Sequence, residues 1–66
     1  MAFILRVRYP HSGMIQDQEF PQEHLAIRAA IAHLKAFPAG LAQITGPDGK
    51  IVQSHSELYE LFKQSS

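Results

Sequence analysis

Apolar and polar residues alternate over residues 3–9, which predicts a strand that is buried on one side only. The apolar face consists of Phe3, Leu5, Val7 and Tyr9. Arg6 and Arg8 belong to the opposite face. The segment Pro10-His11-Ser12-Gly13 is rich in turn-forming residues, so residues 14–20 can return as a second strand.

The length of this turn predicts the register of the hairpin. If Tyr9 pairs with Met14, the remaining pairs are Arg8–Ile15, Arg6–Asp17, Ile4–Glu19 and Phe3–Phe20. Opposite charges that face each other across an antiparallel pair contribute about 0.2–1 kcal/mol and help to fix the register. We therefore expect Arg6 and Arg8 to lie on a solvated, ion-paired face of a sheet.

Helical periodicity extends over residues 21–36. Pro21 suits the first turn, where its missing N–H would have no partner. The helix must end by Phe37, because the residue before a proline is disfavoured in the helical conformation. Gly40 then lets the chain turn away.

Two sides of this helix are apolar. The side expected to cover the sheet carries Ile27, Ala30, Ile31 and Leu34. Nearly opposite lies a second line of residues, here called the helix seam, which consists of Leu25, Ala29, Ala32 and Ala36. A helix with two apolar sides is typical of a contact with a partner. The alternative is that the alanines serve helix propensity alone.

The C-terminal part predicts a hairpin and a short helix. Residues 41–45 and 50–53 have the composition of strands, and Gly46-Pro47-Asp48-Gly49 between them predicts a bulged turn. Ser54 and Glu57 form a capping box that opens a helix near residues 55–63. The apolar stripe of that helix is Leu58, Leu61 and Phe62.

These elements predict a single α+β domain over residues 1–66, of ββαββα order, with an antiparallel sheet, one main helix on a face and a short C-terminal helix. The expected buried centre is Leu5, Val7, Ile27, Ile31, Leu34, Ile44, Leu58 and Phe62. A chain of this length buries only about 60% of the surface that its unfolded form exposes. Self-association would add apolar burial.

Composition narrows the class of protein. Six basic and six acidic side chains cancel, so the molecule has no overall field that attracts nucleic acid or anionic lipid. The sequence has no cysteine, which is compatible with a reducing compartment. Arg6 and Arg8 interrupt the first apolar run too early for a signal peptide or membrane span. We expect a soluble, cytoplasmic protein with no membrane partner.

No pattern indicates catalysis, a cofactor or a metal. The four histidines are His11, His24, His33 and His55, and no two of them have the i, i+4 spacing of a helical ligand pair. The serines next to His11 and His55 lack the surroundings of a nucleophile elbow. The glycines serve turns and do not form a phosphate-binding loop. We therefore expect neither an enzyme nor a metal protein.

Two binding functions remain. The first is a protein-binding or regulatory module, with a protein partner or a second copy held at the helix seam or at a sheet edge. The alternative is a small nucleic-acid-binding domain, in which Arg6 and Arg8 hold phosphates while Tyr9 and His11 support a base. The neutral charge and the nearby carboxylates of Asp17 and Glu19 make nucleic acid the less favoured partner.

The segment Ile44-Thr45-Gly46-Pro47-Asp48-Gly49-Lys50-Ile51-Val52 resembles the D-G-K-I/V ending of several small bacterial families. The ββαβ order of residues 3–45 is similar to that of a phage-encoded inhibitor of host RNA polymerase and of the antitoxins of some toxin–antitoxin pairs. The resemblance assigns no role to an individual residue. It implies a small protein that acts by docking on a larger one.

Overall fold

The structure, a computed structural model, describes residues 2–65 and has the predicted ββαββα order. Its elements are β1 (Phe3–Arg8), β2 (Ile15–Phe20), α1 (Glu23–Ala36), β3 (Leu41–Thr45), β4 (Ile51–Gln53) and α2 (His55–Ser65). The α+β class is confirmed. The main differences from the predicted bounds are that α1 begins two residues after Pro21 and that α2 ends two residues later than expected.

The strands form one antiparallel sheet in the order β2-β1-β3-β4. Every pair that was predicted for the first hairpin is present, from Phe3–Phe20 to Arg8–Ile15. The amide of Tyr9 donates to the carbonyl oxygen of Met14 over 2.9 Å, which continues the same register into the turn. Counting from the turn was sufficient here, because a tight hairpin fixes which residues face each other.

Both helices pack on one face of the sheet and enclose the core with it. The buried apolar residues of this core are Leu5, Val7, Ala26, Ala30, Leu34, Ala42, Ile44 and Leu58. Ile27 and Phe62, which were expected at its centre, are half-buried and pack against its margin.

The prediction that Ile31 belongs to the buried centre is wrong. Ile31 is half-buried and lies outside the core cluster, whereas Ala26 is fully buried. The residues of α1 that face the sheet are Ala26, Ala30 and Leu34, which recur every four positions. Two of the three are alanines, so this side of the helix can lie close to the sheet. In this orientation of α1, Ile31 lies at the side of the helix and not against the sheet.

The predicted turn and cap of the C-terminal part are confirmed. Gly49 has φ +86°, the left-handed conformation expected after the two central turn residues. The amide of Lys50 donates to Oδ1 of Asp48 over 3.1 Å. At the start of α2, the amide of Glu57 donates to Oγ of Ser54 over 3.3 Å, and the amide of Ser54 donates to Oε1 of Glu57 over 3.2 Å.

Gly40 allows the segment after α1 to pass close to the end of β1. A Cβ atom at this position would lie 2.8 Å from the carbonyl oxygen of Arg8 and 2.9 Å from Nε2 of His33. Side-chain carbon atoms do not approach other atoms so closely, hence only glycine fits. This close passage leads the chain directly into β3.

Candidate functional site

No helix or strand of residues 2–65 covers the face of the sheet that points away from the helices. We call this surface the open face. Its side chains are those of Ile4, Arg6, Arg8, Ile15, Asp17, Glu19, Leu41, Gln43, Thr45 and Ile51. Three of its large apolar residues are well exposed, with relative exposures of 59% for Ile15, 57% for Ile51 and 43% for Leu41. The open face is therefore a mixed surface of apolar and charged groups.

An ion pair occupies the middle of the open face. Nε of Arg6 donates to Oδ1 of Asp17 over 2.9 Å, and Nη2 donates to Oδ2 over 3.2 Å. This hydrogen bonding lowers the pKa of Asp17 and raises the pKa of Arg6. Both side chains are about half exposed, so the pair is screened by solvent and its main effect is to orient the two groups.

Arg8 lies at one end of the open face and makes no ion pair within residues 2–65. Its guanidinium group extends towards the turn, where a Cβ atom on Gly13 would lie 3.6 Å from Nη2. Arg8 borders a shallow groove that is also lined by Ile15 and Leu41. The groove combines an available positive charge with two exposed apolar side chains, which suits a contact with a protein surface.

Strand β2 forms an exposed edge of the sheet. Its residues are exposed on both faces as far as Glu19, and only Phe20 packs against the core. At the opposite edge, β4 has only three residues and its pairing with β3 is irregular. The longer and more regular β2 therefore offers the better edge for another strand.

The structure separates the four residues of the candidate nucleic-acid surface. Arg6 and Arg8 are on the open face, but Tyr9 is on the helix-facing side and His11 is exposed in the turn. The ring of Tyr9 packs edge-on against His33 and Phe37, with centroid distances of 5.2 and 5.1 Å. Tyr9 therefore does not supply a stacking platform beside the arginines.

The helix seam is only partly available on the surface. Leu25 and Ala29 are half-buried, and Ala29 packs against the core. Ala32 and Ala36 are exposed. The seam therefore presents two methyl groups and part of a leucine to a partner, which is less apolar surface than the open face presents.

The histidines have separate surroundings. Within residues 2–65, no three histidine, aspartate or glutamate side chains form a group that could hold a metal ion. His33 packs among aromatic rings, and its Nε2 lies 3.4 Å from the carbonyl oxygen of Arg8. Nδ1 of His55 accepts a hydrogen bond from the amide of Ala42 over 3.3 Å, which ties the start of α2 to β3.

The exposed apolar residues of the open face were not identified as a site from the sequence. Ile15, Leu41 and Ile51 all lie in predicted strands, where isoleucine and leucine are ordinarily taken as core residues. The exposure of Ile15 could have been predicted, because the predicted register already placed it opposite Arg8, on the face expected to be solvated. For Leu41 and Ile51, the pairing of β3 with β1 and β4 had to be known first.

No family model, curated protein or solved structure matches this chain. Over the part that the structure describes, neither helix has the length and apolar character needed to cross a bilayer.

Proposed function

We propose that this chain is a protein-binding module without catalytic activity, and that it acts through the open face and the adjoining edge of its sheet. The observation that carries the proposal is the exposure of Ile15, Leu41 and Ile51 on a face that no helix covers. Ile15 and Leu41 flank Arg8 at one end of this face, and Ile51 lies at the other end beside Thr45. Exposed apolar groups rimmed by polar residues are typical of protein-interaction sites.

The polar groups of the open face also suit a protein partner. Gln43 and Thr45 lie between the apolar positions and can exchange hydrogen bonds with a bound surface. Arg8 adds a charge that is not committed to another side chain of the described chain. An apolar contact with polar groups around it is the usual composition of a protein interface.

The biological role that fits such a module is regulatory. A domain of 66 residues acts more readily by occupying the surface of a larger protein than by enclosing a substrate, because an enclosed pocket would consume much of its small core. The absence of cysteine is compatible with a cytoplasmic location. We propose both the regulatory role and this location.

Nucleic-acid binding is the rival function. The guanidinium of Arg8, which has no ion pair within residues 2–65, favours it, since phosphate groups bind readily to arginine. Against it, Asp17 already binds Arg6, and Glu19 adds a further negative charge to the same face. Binding of this kind would weaken steeply as salt is added.

The test is capture of partners from a nuclease-treated lysate of the source cell, with the purified chain immobilised. We expect the parent to retain a specific protein that still binds after it has been identified and purified separately. The double substitution Leu41→Glu and Ile51→Glu should abolish this retention. Both residues are exposed, so the variant should fold.

The matched control is the double substitution Ala32→Glu and Ala36→Glu, because it introduces the same two negative charges at exposed positions of α1. We expect this control to retain the partner. Loss of the partner with the control and not with the open-face variant would place the interface at the helix seam. Retention from an untreated lysate that is lost after nuclease treatment would favour the rival function.

A further inference from the structure

Strand β2 lacks several of the features that usually protect an edge strand, and its charged residues are acidic. Residues 15–20 contain no lysine and no proline, and their pairing with β1 has no bulge. The strand is also exposed on both faces until Phe20. Only the carboxylates of Asp17 and Glu19 guard this edge, so it is a template for an additional strand whose own charges complement them.

The hydrogen-bonding pattern shows which groups of β2 are available. The amide N–H of Tyr9 donates a hydrogen bond to the carbonyl oxygen of Met14, so these two residues form a hydrogen-bonded pair. In an antiparallel ladder, hydrogen-bonded and non-hydrogen-bonded pairs alternate along the strands. It follows that Ile15, Asp17 and Glu19 direct their N–H and C=O groups away from β1, towards the free edge.

The same three residues place their side chains on the open face, and two of them are acidic. The carboxylate of Asp17 already accepts hydrogen bonds from Arg6, but a carboxylate has room for further donors. Glu19 has no ion pair within the described part of the chain. A strand added to this edge would therefore meet carboxylates at two alternate positions and an apolar side chain at a third.

A second copy of the chain does not match this edge. Two-fold antiparallel pairing of β2 with itself has two registers that overlap most of the strand. One places Asp17 opposite Asp17 of the second copy, and the other places Asp17 opposite its Glu19. Like charges directly opposite each other destabilise strand pairing, so the charge pattern selects against self-association here.

We propose that the partner of this module inserts an extended segment that pairs antiparallel with β2. The segment carries basic side chains opposite Glu19 and Asp17 and an apolar side chain opposite Ile15. Read from its N-terminus, its pattern is basic-x-basic-x-apolar. This inference rests on the proposed protein-binding function and specifies the chemistry of the partner.

The probe is the peptide acetyl-TKTRTIT-amide, which places lysine, arginine and isoleucine opposite Glu19, Asp17 and Ile15. In this register, the amides of those three peptide residues face β2, whereas the amides of the central threonines face solvent. N-methylation of the lysine and arginine amides should therefore abolish binding. N-methylation of the two central threonines, a chemically matched change, should leave the affinity within about twofold because those amides make no bond to β2.

Binding is followed by NMR titration of the labelled protein at peptide concentrations up to the millimolar range. We expect the amides of Ile15, Asp17 and Glu19 to shift and to become protected from exchange. Glu19→Lys should weaken binding by about three- to tenfold, because it replaces an attractive cross-strand pair by a repulsive one. The same variant should gain affinity for acetyl-TETRTIT-amide, in which only the residue opposite position 19 is reversed.

Glu60→Lys is the control variant, since it changes the net charge equally on an exposed turn of α2. It should leave the affinity for the basic peptide unchanged within about twofold, because it lies away from the edge. Equal binding of both N-methylated peptides would overturn the proposal, because attraction would then be electrostatic without strand pairing.

Three other results would overturn it as well: no shift in β2, shifts confined to the helices, or self-association of the parent through the β2 edge. If the open-face variants still lose a captured protein partner while the peptide leaves β2 unchanged, the strand-addition model fails and the protein-binding function stands.

Discussion

Leu34 and Ile31 are three residues apart on α1, and only Leu34 is fully buried. Both were expected in the core, since spacings of three and four residues bring side chains to the same side of a helix. The alanines at 26 and 30 decide between them, because they allow the side of the helix centred on Leu34 to approach the sheet. Burial at the residue scale thus depends on which neighbours are small.

Leu34→Ala should lower the free energy of unfolding by about 2–5 kcal/mol, because it leaves a cavity in the core. Ile31→Ala should cost only about 1 kcal/mol, as is usual for a side chain that remains partly in solvent. Urea unfolding of the parent and the two variants measures both changes, provided that the dependence on urea concentration is the same in all three. An equal loss in the two variants would contradict the observed rotation of α1.

Asp17 makes the stability depend on pH at the acidic end. Its pKa is lowered in the folded state by the hydrogen bonds from Arg6. The contribution of Asp17 to the free energy of unfolding is therefore complete above the ordinary carboxyl pKa of about 3.9. It is lost as the pH falls through the lower pKa that Asp17 has in the folded state. We expect Asp17→Asn to reduce the melting temperature at neutral pH.

The difference in melting temperature between the parent and Asp17→Asn should depend on pH. The melting temperatures of the parent and of Asp17→Asn should converge as the pH falls below about 4, because the parent then loses the same ion pair. Thermal unfolding followed by circular dichroism at neutral and acidic pH provides the measurement. A difference that stays constant down to the lowest pH would show that the carboxylate charge is not involved.

At the scale of elements, the first hairpin and α1 behave differently. The register of β1 and β2 follows from their turn, and the two strands carry opposite charges at the paired residues Arg6 and Asp17. α1 has apolar residues around most of its circumference, so its sequence permits more than one side to face the sheet. The hairpin was therefore predictable residue by residue, whereas the orientation of α1 was not.

The helix seam remains a predicted interface, and Ala32 is the position at which to test it. Ala32 is exposed on α1, so Ala32→Glu should change the free energy of unfolding by less than about 0.5 kcal/mol. Because we propose that partners bind at the sheet, we also expect the molar mass from light scattering to be the same for parent and variant. A dimeric parent that becomes monomeric with Ala32→Glu would identify the seam as the interface.

At the scale of the whole molecule, the position of the helices determines what a partner can reach. α1 packs on β1, β2 and β3, and α2 packs on β3 and α1, all on one side of the sheet. The opposite side presents Arg6 and Arg8 together with Asp17 and Glu19, so neither sign of charge dominates it. In the strand-addition model that we propose, local pairing of charges and strands would therefore select the partner.

The sequence by itself determined the order of elements, the register of the first hairpin, the bulged turn at Gly49 and the cap at Ser54. Each depends on residues that are close along the chain, where turn geometry and hydrogen bonding leave few alternatives. It also placed Arg6 opposite Asp17, which is the centre of the candidate site.

Only the tertiary structure decided the strand order, the buried side of α1, the packing of Tyr9 against His33 and Phe37 away from the arginines, and the exposure of Leu41 and Ile51. The physical reason is that apolar burial is non-directional, so several packings satisfy the same pattern of residues. Close packing between distant segments then selects one of them, as where small alanines bring α1 onto the sheet. The candidate site lies on the side of the sheet that this packing leaves uncovered.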